Sequence, residues 1–413
     1  MEDKASKKTL IIQVILFFVT LVTTTIAGSE WMFGKSVFSG DPVLTTSEIV
    51  AGLYFSIPFL GILTFHEFGH YFMAKYYRIR VTLPYYIPLW LGFIPYPSIG
   101  TIGAFIRIKG AIHSRKEFFD VGIAGPLAGF VVAIVVLTYG FTHLPEPEHI
   151  FSIHPEYQEY GLEYEQHVYS QNEINLVVGD NLLFLFYKKY VADPERIPNK
   201  YEVYHYPWLF AGYLALFFTA LNLIPIGQLD GGHVIYGLFG YRNSRLISRT
   251  LFILMVLISG IGLVPSGMLG LDFFFNTVFY MLFLFLALYH FEPQLSKRIL
   301  YVIWLMIIQI SAAHFFPKIG DYGIYMVFAF LLGRFLGVDH PKALVDQPLD
   351  LKRKIIGWIA LIIFVISFTP RPLYLEINEK ARIEKPGPIQ KEKDPSKIIT
   401  GRMIKMDEVI GNF

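Results

Sequence analysis

Long apolar runs constrain this sequence more than any other feature. A helix needs about 20 mostly apolar residues to cross the hydrocarbon core of a bilayer, and roughly nine such runs occur here. Of the 413 residues, 54% are hydrophobic and only 16% are charged, whereas soluble domains carry about 25% charged residues. The sequence therefore predicts a polytopic membrane protein embedded in a lipid bilayer. The runs centre on Ile15, Leu60, Val131, Leu216, Val256, Leu282, Trp304, Val327 and Ile362.

Composition also excludes several kinds of site. The chain has no cysteine, which excludes disulfides, cysteine-type zinc fingers and a cysteine nucleophile. Its net charge is +2, and Lys and Arg form no dense stripe, so we expect no nucleic-acid partner.

Loop charges orient the chain in the membrane. Residues 75–116 carry seven Lys and Arg and no acid, whereas residues 145–205 are strongly acidic. The positive-inside rule places the basic segment in the cytoplasm, which makes the N-terminus cytoplasmic and the acidic segment external. The first apolar run loosely resembles a secretory signal ending near Gly28, but its length favours an uncleaved first span.

The segment 84–110 is as apolar as a span but dense in proline and glycine, which forbids a continuous helix. Its last part, "GTIGAFIRIKG" (residues 100–110), alternates as a strand does. We interpret the segment as a re-entrant loop with a short sheet, and an interfacial loop on the lipid headgroups is the alternative. The predicted fold is an all-α polytopic membrane protein of about nine transmembrane helices, with this small re-entrant β element near the active site.

The stretch "LTFHEFGHYFMAK" (63–75) places H-E-x-x-H at the end of an apolar run. On a helix, His66 and His70 project from one face one turn apart, so both imidazoles can bind one metal. Glu67 is offset from them and can act on a water molecule instead. His66 lies about 13 Å from the basic edge at Lys75, a depth at which a carboxylate is costly without a partner.

A catalytic zinc usually takes three protein ligands, and Asp230 is the candidate for the third. It is the single acid of "LNLIPIGQLDGGH" (221–233), where proline and glycines interrupt an apolar segment. The second and fourth spans run in the same direction, so both segments approach the cytoplasmic side. One Zn²⁺ with Asp230 and Glu67 ionised sums to zero charge, which costs far less to bury than either acid alone.

Together, H-E-x-x-H and N-x-x-P-x-x-x-x-D-G (Asn222, Pro225, Asp230 and Gly231) resemble the site-2 protease family of intramembrane zinc metalloproteases. The stretches "GTIGAFI" (100–106) and "GIAGPLAGF" (122–130) extend the resemblance, which covers residues 53–240. It implies one Zn²⁺ per chain held by His66, His70 and Asp230, with Glu67 activating water. It further implies that Asn222 hydrogen-bonds the substrate backbone or the developing oxyanion. The PDZ domain that many relatives insert between the two motifs is not expected in this chain.

The expected function is intramembrane zinc endopeptidase activity on a single-span membrane protein, cleaved within or near its membrane segment. An unwound substrate could bind by strand addition. The residues expected to form that substrate-binding strand are Gly100, Thr101, Ile102, Gly103, Ala104 and Phe105. The expected location is a prokaryotic cytoplasmic membrane, with the active site toward the cytoplasm.

Other interpretations of these residues stay open. The two histidines could donate to backbone carbonyls, Asn222 could bond the backbone of the broken helix, and His233 could support a metal ligand or cap an interface. Gly125 and Gly129 form G-x-x-x-G, which favours close helix packing over chemistry. Rival functions are an enzyme similar to prenyl-protein peptidases, with a glutamate as third ligand, and a zinc-binding transporter or receptor without hydrolysis.

The sequence divides into six segments on these grounds. They are an N-terminal span (1–48), a membrane core with the H-E-x-x-H helix (49–143), an external polar insert (144–206), the D-G segment (207–240), further spans (241–370) and a charged tail (371–413).

Overall fold

The computed structural model describes residues 2–38, 43–92, 98–171, 174–264, 271–316, 320 and 322–377. Within these residues the chain is mostly helical and has two small antiparallel sheets. Most of the predicted charged tail, from residue 378 onward, lies outside this description. The helices are α1 (Glu2–Phe33), α2 (Thr46–Ala51), α3 (Leu53–Tyr76), α4 (Arg115–Thr142), α5 (Tyr164–Gln171), α6 (Leu182–Tyr190), α7 (Pro207–Leu223), α8 (Asp230–Ser259), α9 (Leu271–Ala287), α10 (Leu295–Phe315), α11 (Gly323–Leu331) and α12 (Leu351–Ser367).

Each of the nine predicted centres falls inside a helix, namely α1, α3, α4 and α7 to α12. Among the described helices, four are long and apolar enough to cross a membrane: Lys7–Phe33, Thr46–Tyr76, Arg115–Thr142 and Leu295–Phe315. Shorter apolar helices cover Pro207–Leu223, Phe273–Ala287 and Gly323–Leu336. Multiple membrane-spanning helices are thus confirmed, whereas the count of nine stays a prediction.

Small residues bring α3 and α4 into close contact. A Cβ atom at Gly69 of α3 would lie 2.4 Å from the carbonyl oxygen of Ala124 in α4. Helix α4 begins with a capping box in which Ser114 and Glu117 satisfy each other's backbone amides. The H-E-x-x-H face of α3 therefore packs directly on a second apolar helix.

The short sheet predicted within residues 84–110 is present. Strand β1 (Tyr85–Leu89) pairs antiparallel with β2 (Gly100–Phe105), and the register shifts so that Ile102 has no partner on β1. The strand ends at Phe105, earlier than the alternation predicted. Gly100 adopts φ +79°, and its carbonyl accepts a 2.7 Å hydrogen bond from the Thr23 hydroxyl of α1. The placement of this hairpin at membrane depth remains a prediction.

The insert between α4 and α7 contains 3₁₀ turns, two short helices and one strand. That strand, β3 (Ile174–Val178), pairs antiparallel with β4 (Leu373–Ile377), which follows the last helix of the described chain. Lys200 and Tyr201 hydrogen-bond to Glu376 of β4 at 2.7 and 2.8 Å. The bond from Lys200, followed by that from Tyr201, lowers the pKa of the Glu376 carboxyl. The insert and the start of the predicted tail therefore form one unit.

The apolar segment around the D-G pair is broken into two helices, as its proline and glycines predict. Helix α7 ends at Leu223 and α8 begins at Asp230. In the break, Gly227 adopts φ +58° and donates its N–H to the Ser248 hydroxyl at 3.2 Å. The break places Asp230 at the first position of a helix rather than in its middle.

The C-terminal helices pack on the D-G segment. Helices α9 to α11 share an apolar core with α7 and α8, and α12 packs against α4, α7 and α8. Arg353 of α12 forms a 2.8 Å ion pair with Asp120 of α4. The link before α12 brings His340 beside α8.

Candidate metal centre

Three side chains from two separate helices direct donor atoms at one point. His66 Nε2 and His70 Nε2 lie 3.1 Å apart on α3. The Asp230 Oδ2 atom lies 3.3 Å from the first and 3.4 Å from the second. The three residues predicted as metal ligands thus form one cluster, the candidate metal centre.

The helices account for this convergence. Residues four apart on α3 face the same side, so the two imidazoles lie one above the other. Asp230 reaches them because α8 turns back sharply onto the end of α7. A Cβ atom at Gly231 would lie 2.0 Å from the carbonyl oxygen of Leu223, so only glycine permits this turn.

Helix α4 fixes the orientation of the second histidine. The Nδ1 atom of His70 lies 2.7 Å from the carbonyl oxygen of Val121, and a carbonyl can only accept. Nδ1 therefore carries the ring proton, and Nε2 turns its lone pair toward Asp230 and His66. This contact is the backbone carbonyl support that metal-ligating histidines usually have.

The donor set fits a zinc ion. Two ligands held about 2.0–2.1 Å from one zinc at tetrahedral angles lie about 3.3–3.4 Å apart. The observed separations of 3.1 to 3.4 Å match this geometry on all three edges. A cation between the three donors would also offset the mutual repulsion of two imidazole lone pairs and a carboxylate.

Glu67 lies beside the cluster and is 5% exposed. Its carboxylate is in the electrostatic field of all three donor residues, and the backbone amide of Ile106 lies close enough to act on it. Ile106 directly follows β2, so the end of that strand contacts the carboxylate predicted to activate water.

Asn222, on the last turn of α7, also reaches the centre. Its Nδ2 atom lies 3.4 Å from His66 Nε2, and its side chain is half-buried. The structure thus brings together Asn222, Glu67 and the three donors, which the sequence placed on two distant segments.

The predicted substrate strand borders the site, but its residues differ in accessibility. Gly100 and Thr101 are buried, and the Thr101 hydroxyl donates to the Ile87 carbonyl at 2.7 Å. Ile102 and Phe105 are 57% and 46% exposed. Among the described residues β2 pairs only with β1, so no second strand covers its other edge.

Sequence reasoning missed two features around the centre. His233 Nδ1 lies 2.7 Å from His340 Nε2, and no sequence signal links residues this far apart. The two glycines of the G-x-x-x-G motif, which were predicted to allow close helix packing, lie directly against the two histidines of the candidate metal centre. A Cβ atom at Gly125 would lie 2.1 Å from His70 Nε2, and one at Gly129 would lie 3.3 Å from His66 Nδ1.

Comparison with known proteins agrees with this site. Residues 54–264, which include both motifs, match the family described as Peptidase family M50. "Probable zinc metalloprotease EGY2, chloroplastic" of Oryza sativa subsp. indica is 29% identical over 227 residues, covering 55% of this chain and 34% of the relative. "Probable zinc metalloprotease EGY1, chloroplastic" of Arabidopsis thaliana is 28% identical over 206 residues, covering 48% and 32%. The matched region spans about a third of the length of these relatives. No solved structure matches.

A membrane protein that buries an H-E-x-x-H helix and completes its donor set with an aspartate from a second apolar helix has the architecture of a membrane metalloprotease. The family match covers half of the chain and is specific: this chain belongs to peptidase family M50, the site-2 protease family of zinc metalloproteases. The predicted family membership is confirmed. In the described part of the insert, β3 is the single strand, so a PDZ fold is not found there.

Proposed function

We propose that this chain is an intramembrane zinc endopeptidase that hydrolyses a peptide bond in or near the transmembrane segment of a single-span membrane protein. The observation that carries the proposal is the donor triangle of His66, His70 and Asp230 with Glu67 beside it. In the proposed arrangement, the three donors hold one Zn²⁺ per chain. When bound, zinc polarises a carbonyl and lowers the pKa of a water molecule to ~7.

Glu67 moves the protons in this proposal. Its carboxylate accepts a proton from the attacking water and returns it to the amide nitrogen of the leaving strand. The backbone amide of Ile106 lies near that carboxylate and favours its ionised form. Burial of Glu67 keeps bulk water from competing for its proton.

Asn222 stabilises the negative charge that develops on the scissile carbonyl. Its amide Nδ2 donates hydrogen bonds, and its position next to His66 Nε2 is where such a donor is needed. A positioned amide of this kind contributes about 3 kcal/mol to transition-state stabilisation.

The unpaired edge of β2 binds the substrate. A transmembrane helix conceals its peptide bonds in its own hydrogen-bond ladder, so the segment to be cut must unwind. Adding it to an exposed strand edge satisfies the freed backbone groups. Because β2 leads to Ile106 and Glu67, a segment bound there lies next to the proposed catalytic carboxylate.

The proposed location is a prokaryotic cytoplasmic membrane, with the centre toward the cytoplasm. Support comes from the basic residues between α3 and α4, which the positive-inside rule assigns to the cytoplasmic side. The relatives named above are plant proteins described as chloroplastic, and this location is not transferred to the present chain.

Replacing Glu67 by glutamine tests the proposal. The Glu67→Gln variant keeps all three donors, so zinc content measured by mass spectrometry should be unchanged. Cleavage should fall by a factor of about 10²–10⁴, because the proton carrier is lost. Protein fragments are compared between membranes that contain the wild-type chain and membranes that contain Glu67→Gln. Fragments found only with the wild type measure the activity and identify the substrates.

Glu165→Gln, an exposed acid in the insert, is the matched control and should cleave like wild type. Undiminished cleavage by Glu67→Gln would refute the proposed mechanism. A zinc-binding transporter or receptor would keep both its zinc and its function in that variant.

A further inference from the structure

A second cluster of side chains that could hold a metal ion lies in the polar insert and shares no residue with the candidate metal centre. It consists of His154, Glu202 and His205, each of which directs one donor atom into a common space. His205 Nε2 lies 3.2 Å from Glu202 Oε2 and 3.3 Å from His154 Nε2. These separations match those in the candidate metal centre.

The local fold explains why two of the donors converge. Glu202 immediately precedes the 3₁₀ turn Val203–His205 and His205 ends it, and residues three apart on such a turn lie on one face. Both residues are 1% exposed. His154 immediately precedes a second 3₁₀ segment, Pro155–Glu163, and its side chain is 24% exposed. The cluster is therefore built into the core of the insert.

The hydrogen bonds of the two histidines leave their lone pairs directed inward. His205 Nδ1 donates to the carbonyl of Met32 at 2.7 Å, at the end of α1. His154 Nδ1 donates to the Glu156 carboxylate at 2.9 Å. In the neutral form of each ring Nε2 is then the nitrogen with the lone pair, and the two Nε2 atoms face each other and Glu202.

Glu202 itself is unsatisfied. Both of its carboxylate oxygens are buried, and neither has a hydrogen-bond partner among the residues that the structure describes. The surrounding phenols supply no positive charge. Burial raises the pKa of Tyr157 and Tyr204, and the charge of Glu202 raises both further. A buried carboxylate without compensation costs several kcal/mol, and a cation held between the three donors would offset that cost.

We propose that His154, Glu202 and His205 form a second metal site, which binds a divalent transition metal such as Zn²⁺. Two imidazoles and one carboxylate are a donor set that zinc accepts. Because the site joins the insert to the end of α1 and lies two residues before α7, the bound metal holds the insert on these two helix ends. This site is independent of the proposed protease activity.

Metal counting on the purified full-length chain tests this proposal. After loosely bound metal is removed, wild type should hold about two zinc ions per chain, and the His66→Ala/His70→Ala double variant about one. Adding Glu202→Gln to that double variant should remove the remaining ion. Glutamine keeps the shape of the side chain and removes its buried charge, so the variant is expected to fold.

Further variants make the result decisive. His154→Ala alters the most accessible of the three ligands and should also lose one zinc ion, whereas His167→Ala, an exposed histidine of the same insert, should lose none. In the His66→Ala/His70→Ala background, added Zn²⁺ should raise the melting temperature only while Glu202 is intact. A single zinc in wild type, unaffected by Glu202→Gln, would overturn the proposal and leave a buried His205–Glu202 ion pair.

Discussion

At the scale of single residues, the candidate metal centre depends on nearby glycines as well as on its donor side chains. Helix α4 approaches α3 so closely that there is no room for a methyl group over His70. The same helix supplies the Val121 carbonyl that orients the ring. Gly125 therefore makes room for the His70 ring of the candidate metal centre, and is not only a helix-packing residue.

Gly125→Ala tests this role. The added methyl would lie 2.1 Å from His70 Nε2 and must displace the ring. Zinc affinity, measured by competition with a chelator, should fall about 10–100-fold, as it does when other supports of metal ligands are removed. Gly140→Ala on the same helix, whose nearest contact is a movable leucine methyl at 3.0 Å, should bind zinc normally. Equal affinities in the two variants would contradict the proposed role.

The site residues that could be predicted from the sequence are ionisable side chains within apolar segments. His66, Glu67 and Asp230 could be found because ionisable groups in apolar segments need partners. His340 could not, because it lies in a link without apolar periodicity, and only tertiary packing brings it to His233. The second cluster was missed for the same reason, since His154 and Glu202 lie in a polar insert where such residues are common.

At the scale of elements, the hairpin β1–β2 combines a fixed end with a free edge. Gly100 is tied to α1, whereas Ile102 has no partner on β1 and is exposed. Alternation predicted the strand but not this shift, because the shift follows from pairing with a partner strand that contains Pro88. Ile102 is therefore the residue of β2 whose backbone can change with the least disturbance of the β1 pairing.

Ile102→Pro tests strand addition. Proline removes the Ile102 N–H while disturbing the β1 pairing least, so zinc content should be unchanged. Loss of one backbone hydrogen bond to the substrate should lower the rate of cleavage about 10-fold. Ile102→Ala keeps the N–H and should be affected much less. If the proline variant cleaves a membrane substrate at the wild-type rate, substrate does not bind along this edge.

At the scale of the whole molecule, the pairing of β3 with β4 fixes the relation between the insert and the segment after α12. Both strands must lie on the same side of the membrane. The helices α7 to α12 between them must therefore cross the bilayer an even number of times in total. Nine spans with a cytoplasmic N-terminus satisfy this condition, since they leave both strands outside.

Cysteine labelling tests this topology in a chain that has no cysteine of its own. Glu165→Cys and Leu375→Cys should both react with a membrane-impermeant maleimide on intact cells. Lys116→Cys should react only after the cells are permeabilised. All three positions are exposed, so accessibility to the reagent depends on the side of the membrane. Labelling of Leu375→Cys only after permeabilisation would exclude the arrangement.

The order of synthesis gives the β3–β4 sheet a consequence for assembly. Leu373 follows Val178 by 195 positions, and a ribosome adding about 5–20 residues per second needs roughly 10–40 s for that length. During this interval β3 has been made but its partner has not, so its edge is open to other chains. The sheet closes only when α12 has been completed, and the insert reaches its final pairing as one of the last events in the biogenesis of the protein.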